Sequence, residues 1–180
     1  KNIISGNWNT SRPFEKIVSD TTTIGFKGKA YDWIFYLAVF NNEIVGYDVR
    51  ESMNGNGVLN HREALNNMLN NKIKRGYENL ETIVHSDQGA VYSSTAFNQM
   101  HNNYTIKRSM SRAGTPTDNP IIESLNGWIK NELYKDFNIY KADDINIAIN
   151  DYINYFNTER LAYSLGYKNP IQYRTEQGYS

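Results

Sequence analysis

The sequence predicts one α/β domain whose mixed sheet is flanked by helices. Three strand-like runs open the chain, and helices then alternate with short strands until two helices close it. An antiparallel meander followed by alternating elements indicates a single mixed sheet, here of five strands, with helices on its faces. The length of 180 residues suits one domain with its own hydrophobic core.

The first fifteen residues differ in character from those that follow. Residues 1–15 are polar and are interrupted by Gly6 and Pro13, which predicts an N-terminal arm or linker. We expect the folded core to extend over residues 16–175 and a short tail to occupy residues 176–180. Because the chain does not begin with methionine, we also expect it to be part of a longer protein.

The elements are predicted from hydrophobic periodicity and turn residues. The run 31–40 is dominated by apolar residues, which is typical of a strand buried on both faces. Strands are also predicted over 16–24 and 43–49. A turn at Asn41 and Asn42 joins the strand 31–40 to the strand 43–49. The remaining predictions are a helix over 58–73, strands over 82–85 and 104–107, a loop over 108–120, and helices over 94–101, 121–135 and 143–159.

Composition and charge exclude several classes of protein. The chain has no cysteine, which excludes a disulfide scaffold and a thiolate zinc site. Its 19 basic and 19 acidic residues give a net charge of zero, which argues against a protein that acts only by coating DNA but leaves room for a local basic groove. The longest apolar run, 33–40, is too short to cross a bilayer, so we expect no membrane partner.

Three carboxylates occupy positions at which chemistry is possible. Asp20 lies within a strand, where a buried charge needs a partner, and Asp87 follows the end of another strand. Glu123 lies in the first turn of a helix, where the dipole favours an anion. Taken singly, each residue has an ordinary structural explanation, as a satisfied strand-edge residue, a turn former or a helix cap. Taken together, the three could converge at one edge of the sheet.

An all-oxygen cluster of this kind would select a hard cation. The three histidines, His61, His85 and His101, show no ligand spacing, and cysteine is absent. Carboxylate oxygens favour Mg²⁺ or Mn²⁺ over zinc. Two such ions can hold the attacking and leaving oxygens of an in-line phosphoryl displacement.

Two sequence blocks carry a resemblance to a known family. The stretch 85–89 (His-Ser-Asp-Gln-Gly) with Tyr92, and the stretch 109–124, which begins Ser-Met-Ser-Arg, look like the catalytic core of bacterial insertion-sequence transposases. Those enzymes share an integrase core with retroviral integrase. In this chain 35 residues separate Asp87 from Glu123, and the resemblance extends roughly from residue 17 to residue 173.

The resemblance implies a ribonuclease-H-like fold, with Asp20, Asp87 and Glu123 as a catalytic triad that binds Mg²⁺, or Mn²⁺ as a substitute. Asp20 rests on a short match, and Asp32 is a poorer alternative for the same role. The implied reaction is cleavage of DNA phosphodiesters at element ends, followed by strand transfer of the 3′-hydroxyl into target DNA.

The resemblance and the basic residues also predict a DNA-binding surface. On one face of the predicted helix 121–135, Asn126 and Lys130 follow Glu123 at helical spacing, although Lys130 also reads as an ordinary surface lysine. His85 and Asn119 are expected to support the triad from nearby, with core packing and helix capping as their alternatives. The predicted DNA contacts are Lys107, Arg108, Arg112, Asn126 and Lys130.

The partners implied by the resemblance are element-end DNA, target DNA and further copies of the chain. We expect an upstream helix-turn-helix region outside this chain, and a bacterial cytoplasmic protein that associates with the nucleoid when active. Two alternatives stay open: a structure-selective nuclease of the same fold, and a catalytically silent remnant that binds DNA or a partner.

Two positions depart from the family pattern. Asn41 follows the second strand where the family commonly has aspartate, and Ala162 stands where it often has histidine. Neither position belongs to the triad, so the departures concern the surroundings of the site.

Overall fold

A computed structural model describes residues 2–53, 56–87, 95–102, 104–111 and 120–180, with positions 56, 97, 120 and 123 described in backbone only. The strands are β1 (Lys16–Phe26), β2 (Lys29–Ala38), β3 (Glu43–Glu51), β4 (Thr82–Ser86) and β5 (Ile106–Met110). The helices are α1 (Asn56–Lys74), α2 (Thr95–Asn102), α3 (Pro120–Lys135), α4 (Ile145–Thr158) and α5 (Pro170–Glu176). Short 3₁₀ turns occupy Ile139–Lys141 and Tyr163–Leu165.

The strands form one five-stranded mixed sheet in the order β3-β2-β1-β4-β5. β1, β2 and β3 pair antiparallel, while β4 pairs parallel with both β1 and β5. The predicted mixed sheet flanked by helices is therefore confirmed. The central position of β1 matters for the site because its residues meet β4 directly.

Helices cover the two faces of the sheet with separate hydrophobic cores. On one face Val18 and Trp33 pack with Ile129 of α3 and Tyr152 of α4. On the other face residues such as Ile17, Ile34 and Tyr36 pack with Leu65 and Met68 of α1. Successive strand residues point to opposite faces, so even-numbered residues of β1 face α3 and odd-numbered residues face α1.

α1 lies unusually close to the sheet at Gly46 of β3. A Cβ added to Gly46 would lie 2.6 Å from the backbone nitrogen of Met68 and 2.7 Å from the carbonyl oxygen of Ala64. Only glycine permits this approach without moving the helix backbone.

Two predictions about the chain after residue 104 need correction. β5 continues to Met110, whereas the sequence predicted a loop from Arg108 onward, because pairing with β4 extends to Ser86 and Met110. Helix α5 was not predicted. Its signal was present, since Asn169 caps the helix by accepting from Gln172 N–H at 2.7 Å and Pro170 follows the cap.

The N-terminal arm is docked on the domain. Phe14 is fully buried and Ile4 is 4% exposed. The Lys16 ammonium donates to the carbonyl oxygens of Asn7 and Asn9 at 2.8 and 2.7 Å. The arm is thus packed against the domain.

In the described part of the chain, no helix combines the length and apolar character needed to cross a bilayer.

A buried ionic cluster joins the far end of the sheet to the C-terminal helix. Glu43, 2% exposed, accepts from Arg75 at 2.6 and 3.0 Å and also accepts from Arg174 of α5. Asn41 donates to Glu43 at 3.0 Å and to the carbonyl oxygen of Pro170 at 3.0 Å. Asn41 therefore contributes to this cluster.

Candidate active site

The site begins with two aspartates at the same level of neighbouring parallel strands. The β1–β4 pairing ends with Val18 opposite His85, and Asp20 and Asp87 each follow two residues later. Residues two apart on a strand share a face, so both positions belong to the face covered by α3. Asp20 is half-buried and Asp87 is exposed at the strand end. The sheet thus brings two predicted triad members to the place where β4 ends beside the middle of β1. We call this place the catalytic edge.

Helix α3 is fastened to this edge through Asn126. Its amide nitrogen donates to Asp20 Oδ2, and its amide oxygen accepts from Thr22 Oγ1 at 3.1 Å. One amide therefore orients the carboxylate and is itself oriented by the next residue on the same face of β1. This contact gives Asn126 a positioning role, and its predicted DNA contact stays a prediction.

Glu123 lies one helical turn before Asn126 on α3. Residues three apart occupy neighbouring positions on one helix face, so position 123 belongs to the side of α3 that meets β1. The side chain of Glu123 is outside the described residues. Among the side chains that are described, no three histidine, aspartate or glutamate residues form a metal-ligand group.

Asp32 belongs to a different part of the molecule. It pairs with Thr23, and its carboxylate accepts from Thr23 Oγ1 at 2.8 Å. Thr23 is an odd-numbered residue of β1, so Asp32 lies on the face covered by α1, opposite to Asp20. Asp20 is therefore the aspartate of the two that shares a face with Asp87 and α3.

His85 is fully buried behind Asp87, and both of its ring nitrogens have hydrogen-bond partners. Nδ1 lies 2.9 Å from Ser109 Oγ, and Nε2 lies 3.0 Å from Ser111 Oγ. Trp8 of the arm meets the imidazole ring edge-on at a centroid distance of 5.3 Å. These contacts match a supporting position, since the ring joins the ends of β4 and β5.

The predicted basic residues do not form one cluster in the described structure. Lys107 and Arg108 are consecutive on β5 and therefore point to opposite faces of the sheet. Lys107 pairs with Glu81 at 2.9 Å, and Arg108 donates to the side chain of Asn98 on α2. Both partners of the Lys107 pair are more than half exposed, and an exposed pair is worth only about 0–1 kcal/mol, so a phosphate could displace Glu81.

Of the other predicted site residues, the structure describes Lys130. It is exposed on α3, two turns after position 123. Arg112 and Asn119 lie outside the described residues, as does the Gln88-Gly89 part of the motif.

The remaining histidines lie away from this edge. His61 of α1 is buried, and burial lowers its pKa to about 4, with the charge of His101 acting in the same direction. His61 is thus neutral near pH 7. His101 of α2 is also buried, and both residues belong to the helices on the α1 side of the domain.

Three supporting residues were not identified as such from the sequence. Thr22 fixes Asn126, and Ser109 and Ser111 hold His85. A signal for the serines was present, because Ser-Met-Ser has the spacing that puts both hydroxyls on one face of a strand. Nothing local indicates that Thr22 faces residue 126, which is more than 100 positions away.

The donor set fits a hard divalent cation. Asp20 and Asp87 offer carboxylate oxygens, and Asn126 holds the first of them without neutralising its charge. Two neighbouring carboxylates repel each other, and a cation between them relieves that repulsion. Oxygen-only ligands favour Mg²⁺ and Mn²⁺.

Family models and curated relatives agree on one kind of protein. Two models described as "Integrase core domain" match residues 10–116 and 104–170. The putative transposase InsK for insertion sequence element IS150 of Escherichia coli K12 is 30% identical over 175 residues, which is 97% of this chain and 59% of that protein. An uncharacterized transposase-like protein of Haemophilus influenzae is 30% identical over 97% of this chain and 77% of its own length.

Solved structures share the fold at lower identity. The simian T-cell lymphotropic virus intasome in complex with PP2A regulatory subunit B56 gamma matches with a TM-score of 0.72 and 18% identity, over 91% of this chain and 55% of that chain. The HTLV-2 integrase catalytic core domain in complex with magnesium, in its dimeric form, matches with a TM-score of 0.63 and 20% identity, over 91% and 97%. The predicted ribonuclease-H-like fold of retroviral integrase cores is therefore confirmed.

Proposed function

This chain belongs to the integrase core domain family, and from that premise we propose that it is the catalytic core of an insertion-sequence transposase. The chain spans 59% of InsK, so the activity of a whole transposase is part of the proposal. The observation that supports it most is the placement of Asp20 and Asp87, each two residues beyond the last β1–β4 pair and on the sheet face covered by the helix that carries Glu123.

In this proposal Asp20, Asp87 and Glu123 hold Mg²⁺, with Mn²⁺ as a substitute. When bound, such ions acidify the attacking water or hydroxyl and stabilise the leaving oxygen. Asn126 orients Asp20, and His85 supports the strand end that carries Asp87. Lys130, Lys107, Arg108 and Arg112 would contact DNA phosphates, which fixes the strand without reading its sequence.

Two displacements at phosphorus make up the proposed reaction. In the first, a water oxygen bonds to the phosphorus at the element end and the bond to the 3′-oxygen breaks, which leaves a 3′-hydroxyl and a 5′-phosphate. In the second, that 3′-hydroxyl attacks a target phosphodiester and releases a target 3′-hydroxyl. Each step forms one phosphorus–oxygen bond and breaks one, so no covalent intermediate with the protein is needed.

The proposal includes partners and a place of action. Because two element ends are to be cut and joined, we propose that copies of the chain assemble on DNA. We also propose that a region upstream of this chain recognises the ends. The related HTLV-2 core is described in dimeric and trimeric forms. Such an enzyme would act in the bacterial cytoplasm, at the nucleoid.

The test uses labelled duplexes that carry the sequences bordering the coding region, with a plasmid as target. We expect Mg²⁺-dependent cut ends and joined plasmid products, and we expect neither with Asp87→Asn or Glu123→Gln. Cut ends without joined products would favour a nuclease. Failure of Mn²⁺ to bind in calorimetry would favour a catalytically silent protein.

A further inference from the structure

We propose that the N-terminal arm is a positioning element for the catalytic edge, and that Ser109 and His85 connect its docking to Asp87. This inference rests on the proposed function, because it concerns a carboxylate of the proposed metal site. It assigns a role in the active site to a segment that the sequence predicted only as an arm or linker.

Two backbone N–H groups of the arm share one buried hydroxyl as their acceptor. The backbone N–H groups of Ile3 and Ile4 donate to Ser109 Oγ at 2.8 and 3.2 Å. Ser109 is fully buried on β5, more than 100 residues along the chain. A serine oxygen has two lone pairs, so these two donors use its whole accepting capacity.

This arrangement determines which nitrogen of His85 carries the proton. With both lone pairs of Ser109 Oγ engaged by the arm, the contact of 2.9 Å to His85 Nδ1 requires Ser109 to donate its own hydrogen. Asn2 Oδ1 competes for that hydrogen from a longer distance of 3.4 Å. Nδ1 is then the accepting nitrogen, so Nε2 carries the proton and donates to Ser111 Oγ at 3.0 Å.

The imidazole in this tautomer joins the ends of the two strands at the site. Ser111 N–H also donates to the carbonyl oxygen of Ser86 at 3.0 Å, directly before Asp87. Trp8 closes the other side of the ring. Docking of the arm therefore fixes the strand end from which Asp87 extends, and release of the arm frees Ser109 to accept and the ring to change tautomer.

The test compares two matched variants of the 180-residue chain. Ile4 is 4% exposed and Ile3 is 43% exposed, yet both donate a backbone N–H to Ser109. Ile4→Asp puts a charge into a buried position and should release the arm, whereas Ile3→Asp should leave it docked. Ser109→Ala removes the shared acceptor and serves as a second variant if Ile4→Asp does not fold.

Three measurements follow the connection from the arm to the site. We expect Ile4→Asp and Ser109→Ala to speed amide hydrogen exchange in residues 2–9 and in residues 83–87. In the parent protein, the ¹⁵N resonances of His85 should show a single tautomer that is protonated at Nε2. In Ile4→Asp this single tautomer should no longer be seen. Calorimetry should show Mn²⁺ affinity lowered by about 10-fold, the lower end for losing an outer partner of a metal ligand.

The outcomes separate the two proposals. The proposed role of the arm would be overturned if the arm were released while amide hydrogen exchange at 83–87, the His85 resonances and the Mn²⁺ affinity stayed unchanged. An arm that stays protected in Ser109→Ala would overturn it as well. If the parent does not bind Mn²⁺, the proposed function fails, while the exchange and resonance data still decide whether the arm reaches His85.

Discussion

Two carboxylates of the same sheet differ in the charge of the partners that the structure describes for them. Glu43, at the start of β3, is buried between the guanidinium groups of Arg75 and Arg174. Asp20, in the middle of β1, accepts from the neutral amide of Asn126. Arginine both orients and neutralises a carboxylate, whereas an amide orients it and leaves its charge. The first arrangement holds elements together, and the second is suited to attracting a cation.

The two sites also differ in what surrounds them. Glu43 joins β3, the end of α1 and helix α5, so its ion pairs hold these elements together. Asp20 lies beside the end of β4, where Asp87 is exposed. A second structural carboxylate, Glu132, follows the Glu43 pattern, since it accepts from Arg160 at 2.8 and 2.9 Å and from the Tyr152 hydroxyl at 2.8 Å. Burial and this contact with Glu132 both raise the pKa of Tyr152.

The largest expected effect is a loss of Mn²⁺ affinity when Asp20 is replaced, with Asp32 as the control. Asp20→Asn should abolish detectable Mn²⁺ binding, with a loss above about 100-fold, because an amide cannot supply the negative charge of a ligand. Asp32→Asn makes the same change on the other face of the sheet and should leave Mn²⁺ affinity unchanged. Calorimetry of both variants provides the comparison. Retained binding in Asp20→Asn would remove Asp20 from the site.

The next effect concerns stability and uses two glutamates of β3. Glu43→Gln leaves the buried Arg174 and the partly buried Arg75 without their counter-charge and should lower the free energy of unfolding by about 3–5 kcal/mol. Glu51→Gln is the matched control, because the Lys29–Glu51 pair is exposed and is worth about 0–1 kcal/mol. Urea unfolding of both variants measures the difference. Equal losses would mean that the Glu43 cluster does not carry the structural role assigned to it.

A smaller effect is expected at Asn126. Asn126→Ala removes the group that orients Asp20 and should weaken Mn²⁺ binding by about 10–100-fold without removing a ligand. Asn131→Ala, at an exposed position of the same helix, should have no effect on Mn²⁺ binding. Calorimetry and thermal melting together separate a local effect on affinity from a general loss of the fold. Unchanged Mn²⁺ affinity in Asn126→Ala would mean that Asn126 only holds helix α3 against strand β1.

The smallest effect is a pH dependence of stability. Burial would raise the pKa of Glu43, but the hydrogen bonds from Arg75, Arg174 and Asn41 and the charge of Arg75 outweigh it and lower this pKa below the ordinary value of 4.5. The stabilisation from Glu43 is therefore complete above about pH 4.5 and is lost as the pH falls through its lowered pKa. Urea unfolding between pH 3 and pH 6 should show the parent converging toward Glu43→Gln in acid. A constant difference between the two proteins at all pH values would contradict this linkage.

The sequence predicted most of the sheet and named candidate site residues, whose catalytic roles stay predictions. Apolar runs located β2 and helical spacing located α1 and α4, because these patterns record which side of each element is buried. The positions of Asp87 and Glu123 followed from motif and spacing. Helix α5 was missed although Asn169 and Pro170 signalled it, and β5 was predicted too short because its end depends on pairing with β4.

What the sequence by itself determined is local: the period of burial in each element, the residues that cap and end it, and the family blocks around Asp87 and Glu123. Tertiary structure alone decided that Asp20 and not Asp32 shares a face with Asp87, that Thr22 meets Asn126, and that the arm reaches His85 through Ser109. The physical reason is that strand register and helix docking are settled by contacts between residues far apart in the chain. No local pattern records those partners, so candidate site residues could be named from the sequence, but the contacts that position them could not.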